Sequence, residues 1–182
     1  MHPLVQQAAD FAEVAHRSID QRRKYSDEPY IVHPKHVAEI VASVTDDPVV
    51  LAAAWLHDVV EDTPIQLETI TLKFGTDVAG LVDDLTDVSR RCDGNRAARR
   101  AIDRKHTARA DPRAKTVKLA DIISNLSDLV DQNPGFARVY LGEKVLLMEV
   151  LKEGDATLYA RAQDLIERSL QQLDERREAK SG

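Results

Sequence analysis

The 182 residues contain one cysteine, Cys92. That excludes an internal disulfide framework and any multi-cysteine zinc site. Aromatic residues amount to 4 %. No apolar run approaches the roughly 20 residues needed to cross a bilayer. The start, MHPLVQQAADFAEVAH, has no basic stretch leading into an apolar one, so no secretory leader is expected. Dipeptides typical of β-turns are few, and no segment alternates as a strand would. No internal repeat or long linker is visible either. What is present is ordinary: 43 % hydrophobic and 31 % charged residues, a globular balance that argues against disorder. The expectation is a cytoplasmic protein with one domain over residues 1–182, its core about 3–152 and a last helix about 155–175.

Lys and Arg number 25 and Asp and Glu 31, a net charge of −6, which argues against a general nucleic-acid binder. The charge is unevenly spread. Between Arg90 and Lys118 eleven basic residues meet three acidic ones, a surplus of +8 over 29 residues that leaves −14 for the rest. Such segregation suits a cleft with one wall that attracts an anion. A solvated basic helix face is the plainer alternative. A nucleic-acid patch is disfavoured by the near-absence of aromatic residues there.

Apolar residues recur at helical spacing throughout, and the predicted fold is all-α, a bundle of about eight to ten helices. Pro3 can open the first, with Leu4, Ala8, Phe11, Ala12, Ala15 and Ile19 as its stripe. Residues 22–33 read as a loop, and Pro34 opens a second helix. Pro48 opens VVLAAAWLHDVVED, apolar almost all round and hence central. Thr63, Pro64 and Gln66 resemble a capping box for a short helix, and Thr76 can cap the next. Helices follow at about 94–109, 113–131 and 135–152. Asp155 can cap the last, and Glu175 to Gly182 reads as a frayed end.

The central helix carries His57 and Asp58 side by side. A carboxylate in an apolar helix is costly unless something pairs it, and a metal ion would. One turn on come Glu61 and Asp62, so four polar groups gather at one end and could divide into metal ligands and an acid/base pair. His33, in PYIVHP, and Asp121, in VKLADIISNL, are equally out of place among apolar neighbours. His33, His57, Asp58 and Asp121 together make a donor set for Mn²⁺, Fe²⁺, Zn²⁺ or Mg²⁺. Taken singly, each has a plain alternative: a hydrogen-bonded core histidine, or an aspartate capping a helix.

The order His, then His-Asp, then Asp on successive helices resembles that of the HD-domain metal-dependent phosphohydrolases. More narrowly, the chain resembles the small alarmone hydrolases and the hydrolase domain of Rel/SpoT-type proteins. The stretches that carry this are QRRKYSDEPYIVHP (21–34), LAAAWLHDVVEDTP (51–64), FGTDVAGLVDDLTDVS (74–89) and TVKLADIISNL (116–126). The resemblance implies removal of the 3′-pyrophosphate from (p)ppGpp-like nucleotides, usually with Mn²⁺. It implies His33, His57, Asp58 and Asp121 as metal ligands and Glu61 and Asp62 as the acid/base pair. Arg23 and Lys24 match the family's pair near the nucleotide. Tyr30 is expected at the pocket, Asn125 near the sugar or base, Lys118 among the substrate-binding residues, Arg138 near the distal phosphates, and Arg96, Arg99, Arg100 and Lys105 at the entrance.

Two departures bear on substrate. The family often has a basic residue directly after the Asp of the LAD motif and Arg two residues after the Asn, where this chain has Ile122 and Ser127. An adenosine counterpart, (p)ppApp, therefore stands beside the guanosine alarmone. A two-residue insertion also separates His16 from Gln21. Hydrolysis without synthesis is expected from the length. The competing readings are an HD-type nucleotidase or phosphodiesterase acting on other nucleotides, and an idle nucleotide-binding module. A nucleic-acid or membrane partner is not expected. Homo-oligomers stay open, since apolar residues on the last helices could meet a partner helix or complete their own core.

Overall fold

A computed structural model describes residues 2–179 apart from 25 and 133, and side chains apart from those of residues 127–134. Among the described residues it is all-α. Nine helices run α1 (Pro3–Ser18), α2 (Val32–Ala42), α3 (Pro48–Leu56), α4 (Val59–Asp62), α5 (Leu67–Leu85), α6 (Arg96–Thr107), α7 (Pro112–Gln132), α8 (Pro134–Met148) and α9 (Ala156–Glu178), with one 3₁₀ turn at Arg91–Asp93. The extended pairing among them is a single bridge, Arg22 to Pro29.

Short polar side chains start several helices by accepting from otherwise orphaned backbone N–H groups. Asp47 accepts from Val49 N at 2.9 Å, Asn95 from Ala98 N at 3.0 Å, and Asp155 from Thr157 N and Leu158 N at 2.9 Å each. Pro3 and Pro48 occupy first-turn positions, where the missing N–H costs nothing.

The short helix α3 is the hub and packs on α1, α2, α5 and α7. Ala52, Ala53, Ala54 and Leu56 are wholly buried. Three consecutive alanines leave room for neighbours on every side, which is why a nine-residue helix can be surrounded. The helix α9 lies on α7 and α8, with Leu158, Ala162, Ile166 and Leu173 inward.

Several expected boundaries move. The central helix is not continuous: it stops at Leu56 and resumes at Val59, with Asp58 at φ −100°, ψ −4°. The second helix starts at Val32, so His33 lies in its first turn rather than before it. Thr63 starts no helix; Gln66 precedes α5 without a side-chain cap. The two helices expected around Thr76 are continuous except for a kink at Gly75, whose φ of +87° only glycine adopts readily. Ile19 falls just beyond α1 and is exposed. The helix α9 continues to Glu178, past the point where fraying was expected, while Lys180 to Gly182 lie outside the described residues.

Two glycines make opposite predictions. A Cβ on Gly154 would lie 2.8 Å from Leu119 Cδ1 and 3.1 Å from the Lys115 and Thr116 backbone, whereas one on the mid-helix Gly80 would meet nothing within 4 Å. Gly154→Ala should destabilise by about 1–3 kcal/mol through overpacking. Gly80→Ala should stabilise by about 0.5–1 kcal/mol through helix propensity. Urea midpoints at constant m-value check both.

Candidate metal centre and nucleotide cleft

Three helices deliver the buried cluster. His33 comes from the first turn of α2, His57 and Asp58 from the break between α3 and α4, and Asp121 from the middle of α7. Neighbouring residues on a regular helix point about 100° apart. The interruption after Leu56 lets His57 Nε2 and Asp58 Oδ2 come within 3.0 Å of each other. His57 Nε2 is 3.3 Å from His33 Nε2, and Asp121 Oδ1 stands 3.2 Å from His33 Nε2 and 3.9 Å from His57 Nε2. Ligand atoms of His33, His57 and Asp58 all lie within 4.8 Å of one another.

Outer contacts orient these groups. His57 Nδ1 is 2.8 Å from Ala54 O; a carbonyl only accepts, so Nδ1 carries a hydrogen. His33 Nδ1 is 3.1 Å from Ser124 Oγ, which is also 3.0 Å from His36 Nδ1. Tyr30 Oη donates to Asp58 Oδ2 at 2.6 Å and Asn125 Nδ2 donates to Asp121 Oδ1 at 2.6 Å.

The donor set fits a cation. With both Nδ1 atoms engaged outward, two Nε2 atoms face each other and two carboxylates, an arrangement that a cation would satisfy. Burial alone would lower His57, but Asp58 and then Asp121 overcome it and push the imidazole up to about 9. Burial raises Asp58 and Asp121, yet the two imidazoles, and Lys118 at Asp121, hold both well below the usual carboxylate range. A proton and a divalent ion would therefore compete for this position.

His33, Asp58 and Asp121 line a cavity of about 180 Å³, together with Glu61, Asp87, Arg100, Arg104, Lys118 and Lys144, while His57 lies behind them. Glu61 and Asp62 follow the helix break; Glu61 lines the cavity, whereas Asp62 does not and turns toward the loop before α2. Glu61 Oε2 accepts from Asp87 N at 3.2 Å, and Asp62 Oδ2 accepts from Gln21 Nε2 at 2.8 Å. Glu61 is open to solvent on one side. The protein around it still displaces enough water to push its carboxyl up to about 7, with Asp87 and Asp58 adding to the rise and Lys118 opposing it. Asp62 is raised for the same first reason, with Asp58 adding to it.

The loop before α2 folds back through Arg23 N to Glu28 O at 2.8 Å, with Asp20 and Asp27 at positive φ, which Asp tolerates better than most residues. It brings Arg23 Nη1 to 3.5 Å from Asn125 Oδ1 and Lys24 Nζ to 5.4 Å from the Phe136 ring centroid. Lys118 Nζ lies 3.9 Å from Asp121 Oδ2.

The basic segment divides. Arg96, Arg99 and Arg100 line a second hollow of about 390 Å³ together with Glu61 and Asp87. Arg96 is also paired with Glu143 at 2.5 and 2.8 Å, and Arg100 binds Asp87. Lys105 is exposed and lines neither hollow; Arg104, one position earlier and on the Arg100 face, lines the first. Lys115 is buried, bonded to Ala108 O at 3.1 Å and to Glu153, a structural role. Arg138 is held by Asp174 at 2.6 Å and lines neither hollow. Two positions along α8 is about 200° of rotation, and Tyr140 and Lys144 occupy the cavity wall instead. Ile122 is wholly buried, so that departure bears on packing rather than on phosphate contacts. Ser127 falls outside the described side chains.

Sequence reasoning missed Asp87, Arg104, Tyr140 and Lys144. The i, i+4 spacing of the last two was the available signal, and Lys144 Nζ sits 4.6 Å from the Tyr140 centroid. Burial pushes the Lys144 ammonium down to about 8.

Residues 8–145 match the family model described as HD domain. The human protein guanosine-3′,5′-bis(diphosphate) 3′-pyrophosphohydrolase MESH1 is 44 % identical over 127 residues, 68 % of each chain. A probable GTP pyrophosphokinase of Mycobacterium leprae is 42 % identical over 124 residues, 68 % of this chain but 15 % of that protein. The solved structure of a metazoan ortholog of SpoT that hydrolyses ppGpp superposes with a TM-score of 0.81 at 30 % identity, covering 92 % of this chain and 96 % of that one. Members of this family imply a divalent metal, and the His/Asp cluster is a site of the matching chemistry. No helix among the described residues is long and apolar enough to cross a membrane.

The raised Glu61 carboxyl makes a pH prediction for chelator-treated protein. A folded-state value near 7, above the ordinary 4.5, means that the cost of charging Glu61 is full above pH 7, shrinks as pH falls below 7 and is gone only below 4.5. Glu61→Gln should therefore raise Tm at pH 8 and leave it nearly unchanged at pH 4, as read by thermal scans at both.

Proposed function

This chain belongs to the HD-domain family, and we propose that it is a metal-dependent 3′-pyrophosphohydrolase of (p)ppGpp-type nucleotides. The observation that carries this reading is a buried imidazole–carboxylate cluster whose donors suit a divalent cation, beside a cavity with cationic side chains on its wall. Similarity to human MESH1 over 68 % of each chain supports the substrate class, and a cytoplasmic location accords with it.

His33, His57, Asp58 and Asp121 would hold the ion, for which Mn²⁺ is our choice. When bound, such an ion acidifies water and screens charge on the 3′-diphosphate. Ala54 O fixes a hydrogen on His57 Nδ1 and so turns the His57 Nε2 lone pair inward for a metal, while Ser124 Oγ orients the His33 ring. Glu61, with its raised carboxyl, is suited to take a proton from water, and Asp62 to return one to the departing O3′. Water oxygen bonds to the phosphorus on O3′, the P–O3′ bond breaks, and pyrophosphate leaves a nucleoside 5′-di- or triphosphate with a free 3′-hydroxyl. Arg23 can stack on the base, with Lys24, Tyr30 and Asn125 beside the nucleoside. Lys118, Arg96 and Arg99 are placed to meet phosphates.

The deciding experiment is a Mn²⁺-dependent assay on ppGpp, ppApp and a panel of ordinary nucleotides. Release of pyrophosphate from either alarmone is expected, and cleavage of only simple nucleotides would refute the reading. Asp58→Ala should abolish turnover. Arg23→Ala should raise KM about tenfold at nearly constant kcat and Tm.

Metal binding only to the folded state stabilises it by mass action. Mn²⁺ at 100 times its Kd should add about 2.7 kcal/mol, visible as a higher Tm than in chelator. Asp121→Ala and His57→Ala should lose that increment.

A further inference from the structure

We propose that His16 and Gln21 form a positioning relay that fixes the Asp62 carboxylate, so that the end of α1 governs turnover without touching substrate. This rests on the proton-transfer role of Asp62 proposed above.

His16 lies in the last turn of α1 and is 1 % exposed. Its Nδ1 is 2.6 Å from Gln21 Oε1, and Gln21 Nε2 donates to Asp62 Oδ2 at 2.8 Å. The Gln21 backbone is pinned on both sides. Its N–H donates to His16 O at 3.1 Å, and its carbonyl accepts from Tyr30 N at 3.0 Å. The side chain therefore departs from a fixed point and spans 41 residues of sequence to the acid.

The direction of each bond follows from chemistry. A carboxylate only accepts, so the amide nitrogen of Gln21 faces Asp62 and its oxygen faces His16. That oxygen also only accepts, so His16 must donate from Nδ1. Its Nε2 is left as a lone pair, buried and without a hydrogen-bond partner among the described residues. An apolar ring would fill the space without that penalty, so packing does not account for a histidine here. A requirement for the Nδ1–H does. Burial also lowers the His16 pKa, which keeps the ring neutral. The ring packs at a tilt of 46° against Tyr30, centroids 4.8 Å apart, and the Tyr30 hydroxyl donates to Asp58. One side chain thus braces both the acid and a residue of the buried cluster.

The test is a double-substitution cycle in the full chain with Mn²⁺ and ppGpp, read in single-turnover mode so that slow variants remain measurable. Gln21→Leu should lower the rate about tenfold, with KM and the Mn²⁺-induced Tm increment unchanged. In the Asp62→Asn background the same change should alter the rate less than twofold. His16→Gln, which keeps a donor, should retain more turnover than His16→Leu. In metal-free protein, nitrogen-15 NMR should find His16 as the neutral Nδ1–H tautomer. Full turnover in Asp62→Asn would remove the role of Asp62 itself. Loss in Asp62→Asn with an unaffected Gln21→Leu, losses that multiply in the double variant, or an Nε2–H tautomer would each overturn the relay alone. Gln21→Met repeats the test if Gln21→Leu does not fold.

Discussion

Two imidazole nitrogens 3.3 Å apart, flanked by the carboxylates of Asp58 and Asp121, are the constraint around which the rest of the molecule is arranged. Two carboxylates and two imidazoles in a dry interior are costly without compensating charge, and a proton or a divalent ion would supply it. The helix break after Leu56, the inward turn of His33 and the backbone acceptor behind His57 all serve to bring these atoms together.

The basic segment is a second layer of the same electrostatics. Its surplus over Arg90 to Lys118 does not present itself to solvent as a uniform face. Arg96 is clamped by Glu143, Arg100 by Asp87, Arg113 by Asp77 and Asp111, and Lys115 by Glu153. Arg100 then faces the cavity from a position set by Asp87, whose backbone N–H also holds Glu61. The charge that could greet a phosphate and the carboxyl that could move a proton therefore share one residue as support.

Support also comes from the opposite side. The end of α1, the loop before α2 and the Asp62 carboxyl are joined by Gln21, while Tyr30 links the same loop to Asp58. The acidic pair after the helix break is thus held from two directions, Glu61 by the end of α5 and Asp62 by the end of α1. This explains how two adjacent, solvent-touched carboxyls can keep distinct environments.

Much of this was legible in the chain itself. Helical periodicity, proline and aspartate at helix starts, and the apolar run around Ala52 to Leu56 determined an all-α bundle with a central helix. Polar residues stranded in apolar segments determined His33, His57, Asp58 and Asp121 as a group, because burial without a partner is costly wherever the chain goes. Sequence could not place residues whose role depends on rotation or on distant neighbours. Arg138 and Tyr140 differ by about 200° around one helix, and only packing against α9 decided that Arg138 meets Asp174 while Tyr140 meets the cavity. The break at His57–Asp58, the burial of Lys115 and the link from His16 to Asp62 were likewise settled by tertiary contacts. Local spacing specifies which residues share a face, whereas long-range packing decides what that face meets.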